Sequence, residues 1–185
     1  MKKAFGFLTA IMLLTSMTAC SEWLEEPETE VEISRLDRDA EFVATNVICK
    51  RFEGVYASYP KGVNYFFELT NEAVDGLQQV MILDLVAPEG STSFDGEYIV
   101  GYEGKYIALS RFDVFDPNTG LQYMGGTYYA TAKDGFITDY YGFLTEGKVL
   151  IYTIEGVTHI VVDGKSLDRT VKVKYEGEVE VTLPK

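Results

Sequence analysis

The sequence has few of the residues on which nucleophilic and metal chemistry most often depend. Its 185 residues include one histidine and two cysteines. A catalytic nucleophile needs a base beside it, and zinc sites are built mainly from cysteine and histidine. His159 lies in an apolar, strand-like stretch, and Cys49 follows two apolar residues, which predicts a small buried hydrophobe. We therefore expect no Cys–His nucleophile, no metal site and no cofactor.

Positive charge is also scarce. The chain has 16 Lys and Arg residues against 29 Asp and Glu residues, for a net charge of −13. Such a chain repels phosphate backbones, so we expect no nucleic-acid partner. It also repels anionic lipid, so any membrane contact is expected to come from a lipid anchor. No Gly-x-Ser-x-Gly elbow or phosphate-binding loop is present, and we expect a protein that is not an enzyme.

The chain begins with two basic residues, Lys2 and Lys3, and a short apolar segment follows them. Residues 4–19 are fewer than the roughly 20 apolar residues that a membrane-spanning helix needs, which favours a cleaved export signal. The stretch Ser16-Met17-Thr18-Ala19-Cys20 resembles a bacterial lipobox, although methionine stands where leucine is usual. The resemblance implies cleavage after residue 19 and attachment of fatty-acyl chains, such as palmitate, to Cys20. The alternative is a cleaved signal whose cysteine is incidental.

Residues 20–41 are acidic and contain few large apolar side chains, which is typical of a solvated tether. Glu22, Glu25 and Glu26 resemble the acidic surface-export signal of gut-bacterial lipoproteins. That resemblance implies a lipid-anchored protein on the outer face of the outer membrane, whereas a plain linker explains the same residues. We predict a signal peptide over 1–19, a lipidated cysteine and tether over 20–41, and one domain over 42–185.

The body is rich in strand-favouring residues and contains ten acidic-Gly dipeptides, which mark tight turns. Turn signals at this spacing indicate an all-β fold. We predict a single antiparallel β-sandwich, jelly-roll-like, with an up-and-down, lipocalin-like β-barrel as the alternative. The predicted strands lie near 46–58, 63–70, 78–87, 96–102, 106–115, 122–132, 136–144, 148–154, 157–163 and, as a terminal pair, 169–183.

Three local predictions concern the ends of this body. Residues 170–175 and 178–183 alternate apolar and charged side chains, so we predict a hairpin with its turn at Glu176-Gly177. In this hairpin Lys172 and Lys174 would face glutamates of the other strand. Asp163-Gly164 is predicted as another turn. Residues 33–43 fit either a short helix or an entry strand.

Short motifs within the body suggest a relationship. They include Gly62-Val63-Asn64-Tyr65, Gly96-Glu97-Tyr98 and the closing Tyr175-Glu176-Gly177. Together they resemble uncharacterised β-sandwich lipoproteins of gut bacteria, a domain of unknown function in which Gly-Asn-Tyr, Gly-x-Tyr and Tyr-x-Gly recur. The resemblance covers most of residues 50–180. It implies an antiparallel β fold at the cell envelope and implies no activity or site residues.

Residues 113–120 gather oxygen-bearing side chains that calcium would accept. Their spacing fits no complete calcium loop, and a type I turn with Pro117 at its second position explains them. Carboxylates are too abundant in this chain for any pair to indicate glycoside hydrolysis.

A cluster of tyrosines provides the candidate ligand-binding residues: Tyr123, Tyr128, Tyr129, Tyr140 and Tyr141. Adjacent residues of a strand face opposite sides, so one tyrosine of each pair is expected in the core and the other on the surface. Exposed tyrosines stack on sugar rings or anchor protein partners. We therefore expect a binding or accessory lipoprotein with a glycan or protein partner. The alternatives are a small-ligand carrier with a barrel cavity and a structural subunit that uses an open edge strand.

Overall fold

The computed structural model describes residues 32–53, 62–116 and 121–183, with only the backbone given for residues 53, 112–116 and 121–124. The chain divides into two compact units, Met1–Glu32 and Ile33–Lys185, and the described strands all belong to the second. Within the described ranges, no helix is long and apolar enough to cross a membrane. The predicted signal peptide and Cys20 lie outside the described residues.

The described residues form fourteen strands. They are β1 (Ala40–Val43), β2 (Asn46–Glu53), β3 (Gly62–Thr70), β4 (Leu77–Pro88), β5 (Gly96–Gly101), β6 (Ile107–Leu109), β7 (Phe112–Asp116), β8 (Leu121–Gly125), β9 (Tyr128–Lys133), β10 (Phe136–Phe143), β11 (Glu146–Ile154), β12 (Val157–Ser166), β13 (Arg169–Gly177) and β14 (Val181–Thr182).

Twelve of these strands form one large sheet, in the order β1-β13-β12-β11-β5-β6-β4-β3-β2-β14, with β9 joined to β4 and β10 to β9. Strands β7 and β8 form a separate antiparallel pair. Most pairings are antiparallel, and β1–β13, β5–β6 and β2–β14 are parallel. The prediction of an all-β fold is confirmed. Among the described strands β1 and β14 end the sheet without pairing to each other, so the sheet is not closed as the barrel alternative required.

The hydrophobic core draws on both halves of this sheet. One cluster of buried residues contains Phe67 of β3 and Leu83 of β4 together with Tyr98 of β5, Ile160 of β12 and Val173 of β13. Strands from both ends of the sheet order therefore contribute to one core. The predicted antiparallel β-sandwich is borne out as an all-β fold, whereas the described strands form one large mixed sheet that is not closed.

Several predicted turns are present where the chain needs a positive φ. Asp134 and Gly135 have φ of 51° and 83°, and Glu155 and Gly156 have 52° and 85°. Two successive positive φ values are the signature of the two-residue hairpin turn that matches strand twist. These dipeptides connect β9 to β10 and β11 to β12.

Asp163-Gly164, predicted as a turn, lies inside β12, so that prediction is wrong. Gly164 pairs with Gly147 of β11, and a Cβ on Gly147 would come within 2.3 Å of the Gly164 Cα. Gly147 and Gly164 thus permit close contact of the two backbones, and neither of them reverses the chain. The turn follows at Leu167, which has a φ of 56°.

The predicted terminal hairpin is also wrong. Strand β13 runs through Glu176 to Gly177, and β14 pairs in parallel with β2, through Val181 opposite Cys49. Lys172 lies opposite Asp163 of β12 and Glu41 of β1, and not opposite a glutamate of β14. Of residues 178–183 only Val181 and Thr182 form a strand, and alternation carries no information about which strand is the partner.

Residues 33–41, predicted as part of the tether, belong to the body. Ser34 forms a bridge with Gly142, and Leu36, Ala40 and Phe42 are buried. Strand β1 pairs with β13 from Ala40 to Val43, which decides between the helix and the strand that the sequence left open. The boundary of the body therefore lies near Ile33 and not at residue 42.

Cys49 is 1% exposed on β2, in agreement with the prediction of a buried hydrophobe. Burial raises the pKa of its thiol from 9.0 to about 12. The folded protein therefore retains the thiol proton between these values, while the unfolded chain loses it. We expect this group to make the free energy of unfolding fall as pH rises from about 9 towards 12.

Denaturant unfolding at several pH values between 8 and 11 measures this effect, with Cys49→Ala as the comparison. The variant should lose less stability per pH unit than the original chain, because lysines and tyrosines titrate equally in both. Equal slopes in the two proteins would contradict the assignment of the loss to Cys49.

Candidate functional site

An open groove of about 310 Å³ lies on the β9–β10 hairpin, and we call it the β9–β10 groove. It is lined by Tyr128, Ile137, Thr138, Tyr141 and Phe143. The two strands pair in regular register near the open end of the hairpin and near its turn. Between Ile137 and Tyr141 the register shifts. Such an irregularity bends a strand and redirects its side chains, and here it separates the two groups of lining residues.

Two small residues of β9 lie opposite large groove residues of β10. Ala130 pairs with Tyr141, and Ala132 pairs with Ile137. Because side chains two apart share a face, both alanines lie on the same side of β9 as Tyr128. A larger side chain at either alanine would occupy space beside the groove lining.

The aromatic rings of the groove support one another. The Phe143 ring centroid is 5.0 Å from that of Tyr128 and 6.1 Å from that of Tyr141, the second pair meeting edge to face at 80°. Tilted and edge-to-face contacts at these distances stabilise the rings by about 0.5–1.5 kcal/mol beyond burial. The groove is therefore shaped by side chains that already hold each other in position.

Two predicted candidates, Tyr129 and Tyr140, do not line the groove. Tyr129 is 3% exposed and packs against Phe42 of the core, with ring centroids 6.1 Å apart. Tyr140 meets Tyr129 edge to face and donates its hydroxyl to Asp37 at 2.8 Å. Each Tyr-Tyr pair is thus divided between the two faces, as alternation requires. Tyr123 lies on β8, and its side chain is outside the described residues.

Five residues at the groove were not among the predicted binding residues. Ile137, Thr138 and Phe143 line it, while Arg35 and Arg111 lie over its rings. The Arg35 guanidinium carbon is 5.8 Å from the Tyr141 centroid, and that of Arg111 is 5.6 Å from the Phe143 centroid. Both are cation–π distances. Because these arginines are far from the tyrosines along the chain, no spacing in the sequence indicates them.

The polar groups of the groove are hydroxyls. Burial, and then the charge of Glu68, raises the pKa of Tyr128, so its hydroxyl remains protonated and is able to donate a hydrogen bond. Thr138 shares a hydrogen bond of 2.6 Å with Thr131 of β9, which fixes its orientation. Among the described residues, the lining contains no histidine or carboxylate and offers binding surface and hydroxyl groups.

The other positions considered from the sequence lie elsewhere. His159 stacks on Tyr152 with centroids 4.8 Å apart, and its Nδ1 is 3.6 Å from a Glu176 oxygen. Cys49 faces the core, so it does not meet His159. Within the part of the chain that the structure describes, no group of three His, Cys, Asp or Glu residues could hold a metal ion. The predicted turn at 117–120 lies outside the described residues.

Comparison with protein-family models, with curated proteins and with solved structures gives no match, so the groove is interpreted from its own geometry.

Proposed function

We propose that the protein is a lipid-anchored, non-enzymatic lipoprotein of the outer-membrane surface that binds glycans in the β9–β10 groove. The observation that carries the glycan proposal is the pair of partly exposed tyrosines, Tyr128 and Tyr141, on either side of Phe143. Sugar rings have apolar faces that pack on aromatic rings and hydroxyl edges that need hydrogen-bond partners. Tyrosine supplies both kinds of contact with little loss of conformational entropy.

The size of the groove favours a small ring-shaped ligand over a protein partner. Its volume of about 310 Å³ falls at the lower end of the range of ligand pockets, about 300–1,000 Å³. A stable protein interface needs about 800 Å² and roughly 20–30 residues from each partner. Five of the described residues line this groove. One or two sugar units suit the space better.

The two alternative functions have less support. A small-ligand carrier needs an empty interior, whereas the fully buried side chains of the described core include Tyr65, Phe67 and Tyr98. A structural subunit needs a long open edge strand. Strands β1 and β14, at the two ends of the strand order, have four and two residues, and short edges of this kind discourage association. The eight-residue β10 is a further edge, because it pairs only with β9. Backbone hydrogen bonds from Arg35 to Tyr141 and from Phe143 to Ile33 cover one end of this edge and shorten its open part.

We expect the full chain to bind a subset of glycans on an array and Tyr141→Ala to weaken that binding by at least tenfold. Removal of a central aromatic anchor typically costs about 2 kcal/mol or more, and about 1.4 kcal/mol already corresponds to tenfold. Titration calorimetry with the best glycan measures the change. Tyr152→Ala is the matched control, since Tyr152 is 38% exposed and stacks on His159 outside the groove.

Three outcomes would count against the glycan proposal. They are the absence of binding to every glycan, equal weakening by Tyr152→Ala, and retention of one protein partner that depends on Tyr141. The last of these would favour the structural-subunit alternative. Thermal unfolding of each variant separates a loss of binding from a loss of folding.

The anchor is tested separately in cells that are fed a fatty-acid label. We expect the original chain to incorporate the label and Cys20→Ala to incorporate none, because the proposed acyl chains are attached at that thiol. Cys49→Ala is the control, as its buried thiol is not a proposed attachment site. Labelling of the Cys20→Ala protein would contradict the lipid-anchor proposal.

A further inference from the structure

The part of the sheet that runs β1-β13-β12-β11-β5 has an outer face that is open to solvent, and we call it the β11–β12 face. Its residues alternate along β11 and β12 with residues of the core. The centre of the face consists of three uncharged or aromatic ladder pairs: Leu150 with Val161, Tyr152 with His159 and Ile154 with Val157. The Tyr152 and His159 rings stack at an interplanar angle of 12°, which keeps this part of the face flat. Exposed patches of this kind mark interaction sites.

The charges on this face are nearly balanced, unlike those of the chain as a whole. Next to the uncharged centre, the ladder pairs Glu146 with Lys165 and Lys148 with Asp163. The Lys165 Nζ is 2.7 Å from a Glu146 oxygen, and the Lys148 Nζ is 3.1 Å from an oxygen of Glu97 on β5. Within the described strands, four lysines and five carboxylates belong to the face, which leaves it a net charge of −1 out of −13 for the chain. They are Lys148, Lys165, Lys172, Lys174, Glu41, Glu97, Glu146, Asp163 and Glu176.

We propose that the β11–β12 face binds a second copy of this chain, in a dimer whose two-fold axis runs along the strands between β11 and β12. Such an axis places each ladder residue over its own ladder partner from the other copy. Uncharged residues then meet uncharged residues, and Lys148 meets Asp163 of the partner subunit. Because every pair of the ladder is either uncharged or opposite in charge at these positions, the face is complementary to itself, as an isologous interface requires.

The flanking strands satisfy the same relation. Strand β5 lies beside β11 and β13 lies beside β12, so the two-fold axis places β5 over β13 of the other copy. Glu97 pairs in register with Leu150, and Lys174 pairs with Val161. Since Leu150 and Val161 are ladder partners, Glu97 lies over Lys174 of the partner subunit. An unrelated partner would require no such match between the two flanks, so the match favours a second copy.

The size of the face is that of a small dimer interface. Strands lie about 4.8 Å apart and rise about 3.3 Å per residue, so five strands as long as the nine-residue β11 cover roughly 24 Å by 30 Å. Two such faces would bury roughly 1,400 Å², which lies in the lower part of the standard range of about 1,200–2,000 Å². Strands β1 and β5 are shorter than β11, so we expect micromolar affinity. The balanced charge matters here, because two chains of −13 repel each other on their other, acidic surfaces.

Analytical ultracentrifugation of the full chain tests the proposal. We expect monomers at about 1 μM and mainly dimers at about 100 μM, as a micromolar Kd requires. Ile154→Asp should weaken dimerisation at least tenfold, because it buries a carboxylate in the uncharged centre of the interface. Val74→Asp is the matched control: Val74 is also an exposed aliphatic residue, but it precedes β4 and lies outside this face, so the dimer should persist.

Charge reversal tests whether the occupant is a second copy. Lys148→Glu and Asp163→Lys should each prevent dimerisation, because like charges then meet across the two-fold axis. An equimolar mixture of the two variants should associate as a heterodimer. In that mixture, position 148 of each chain meets a residue of opposite charge at position 163 of the other. Contacts within one chain cannot produce this rescue, so it reports only on contacts between chains.

Four outcomes would overturn the dimer proposal. They are a chain that stays monomeric up to about 500 μM, a dimer that Ile154→Asp leaves intact, a mixture of the two charge variants that stays monomeric, and a face that binds a glycan or another protein while the chain stays monomeric. Thermal unfolding verifies that each variant is folded. The face shares no residue with the β9–β10 groove, so none of these results bears on the glycan proposal.

Discussion

A chain that begins at Ala44 is expected to be largely unfolded at room temperature, whereas a chain that begins at Glu32 retains every contact described above. The shorter chain loses Leu36 and Phe42, which are 9% and 7% exposed, together with the hydrogen bonds of β1 to β13. Burial of a leucine or phenylalanine contributes about 1.5–3 kcal/mol each. Because a domain is stable by only about 5–15 kcal/mol, the loss removes a large share of the total.

Denaturant unfolding of the two truncated chains measures the difference. A pair of point variants on β1 gives an independent check in the full-length protein. Phe42→Ala should lower the free energy of unfolding by about 3–5 kcal/mol. Val43→Ala should change it by less than about 0.5 kcal/mol, because Val43 is 65% exposed on the other face of the strand. Equal stability of the two truncated chains would show that residues 33–43 are only a tether.

The second large effect is expected at Tyr98, at the centre of the core on β5. Its side chain is fully buried, its hydroxyl donates to the Phe94 carbonyl at 2.8 Å, and its ring meets Tyr106 edge to face at 5.2 Å. Burial also raises the pKa of this hydroxyl, so it remains a donor at every physiological pH. Tyr98→Ala should lower the free energy of unfolding by about 3–5 kcal/mol, through lost burial and the cavity left behind.

Two further variants divide this effect into its parts. Tyr98→Phe keeps the ring and removes the hydrogen bond, so we expect a loss of only about 1–2 kcal/mol. Phe136→Ala removes an aromatic ring that is 78% exposed and should change stability by less than about 0.5 kcal/mol. Urea unfolding provides all three values. If Tyr98→Ala were no more destabilising than Phe136→Ala, Tyr98 would not be part of a close-packed core.

The residues of the candidate site could be predicted only in part from the sequence. Alternation correctly assigned one residue of each Tyr-Tyr pair to the inner face, since Tyr129 is buried and Tyr141 lines the groove. It did not say which member of each pair faces inward, because that depends on the register of the hairpin and on the shift between Ile137 and Tyr141. Nor did it indicate Arg35 and Arg111, which reach the groove from outside the hairpin.

The sequence by itself determined most of the strands and several of the turns of this protein, whereas the predicted strands 106–115 and 122–132 are each divided into two. The side chains of a strand alternate with a period of two residues, and an Asp-Gly turn needs two adjacent residues with positive φ. Both features therefore depend only on short stretches of sequence, such as residues 128–143. Only the tertiary structure decided that β14 joins β2, that Gly164 faces Gly147 and that two distant arginines lie over the groove. Those features depend on which surfaces meet when the sheet folds over its core. Many pairings satisfy the same local pattern, and the packing of the whole chain selects among them.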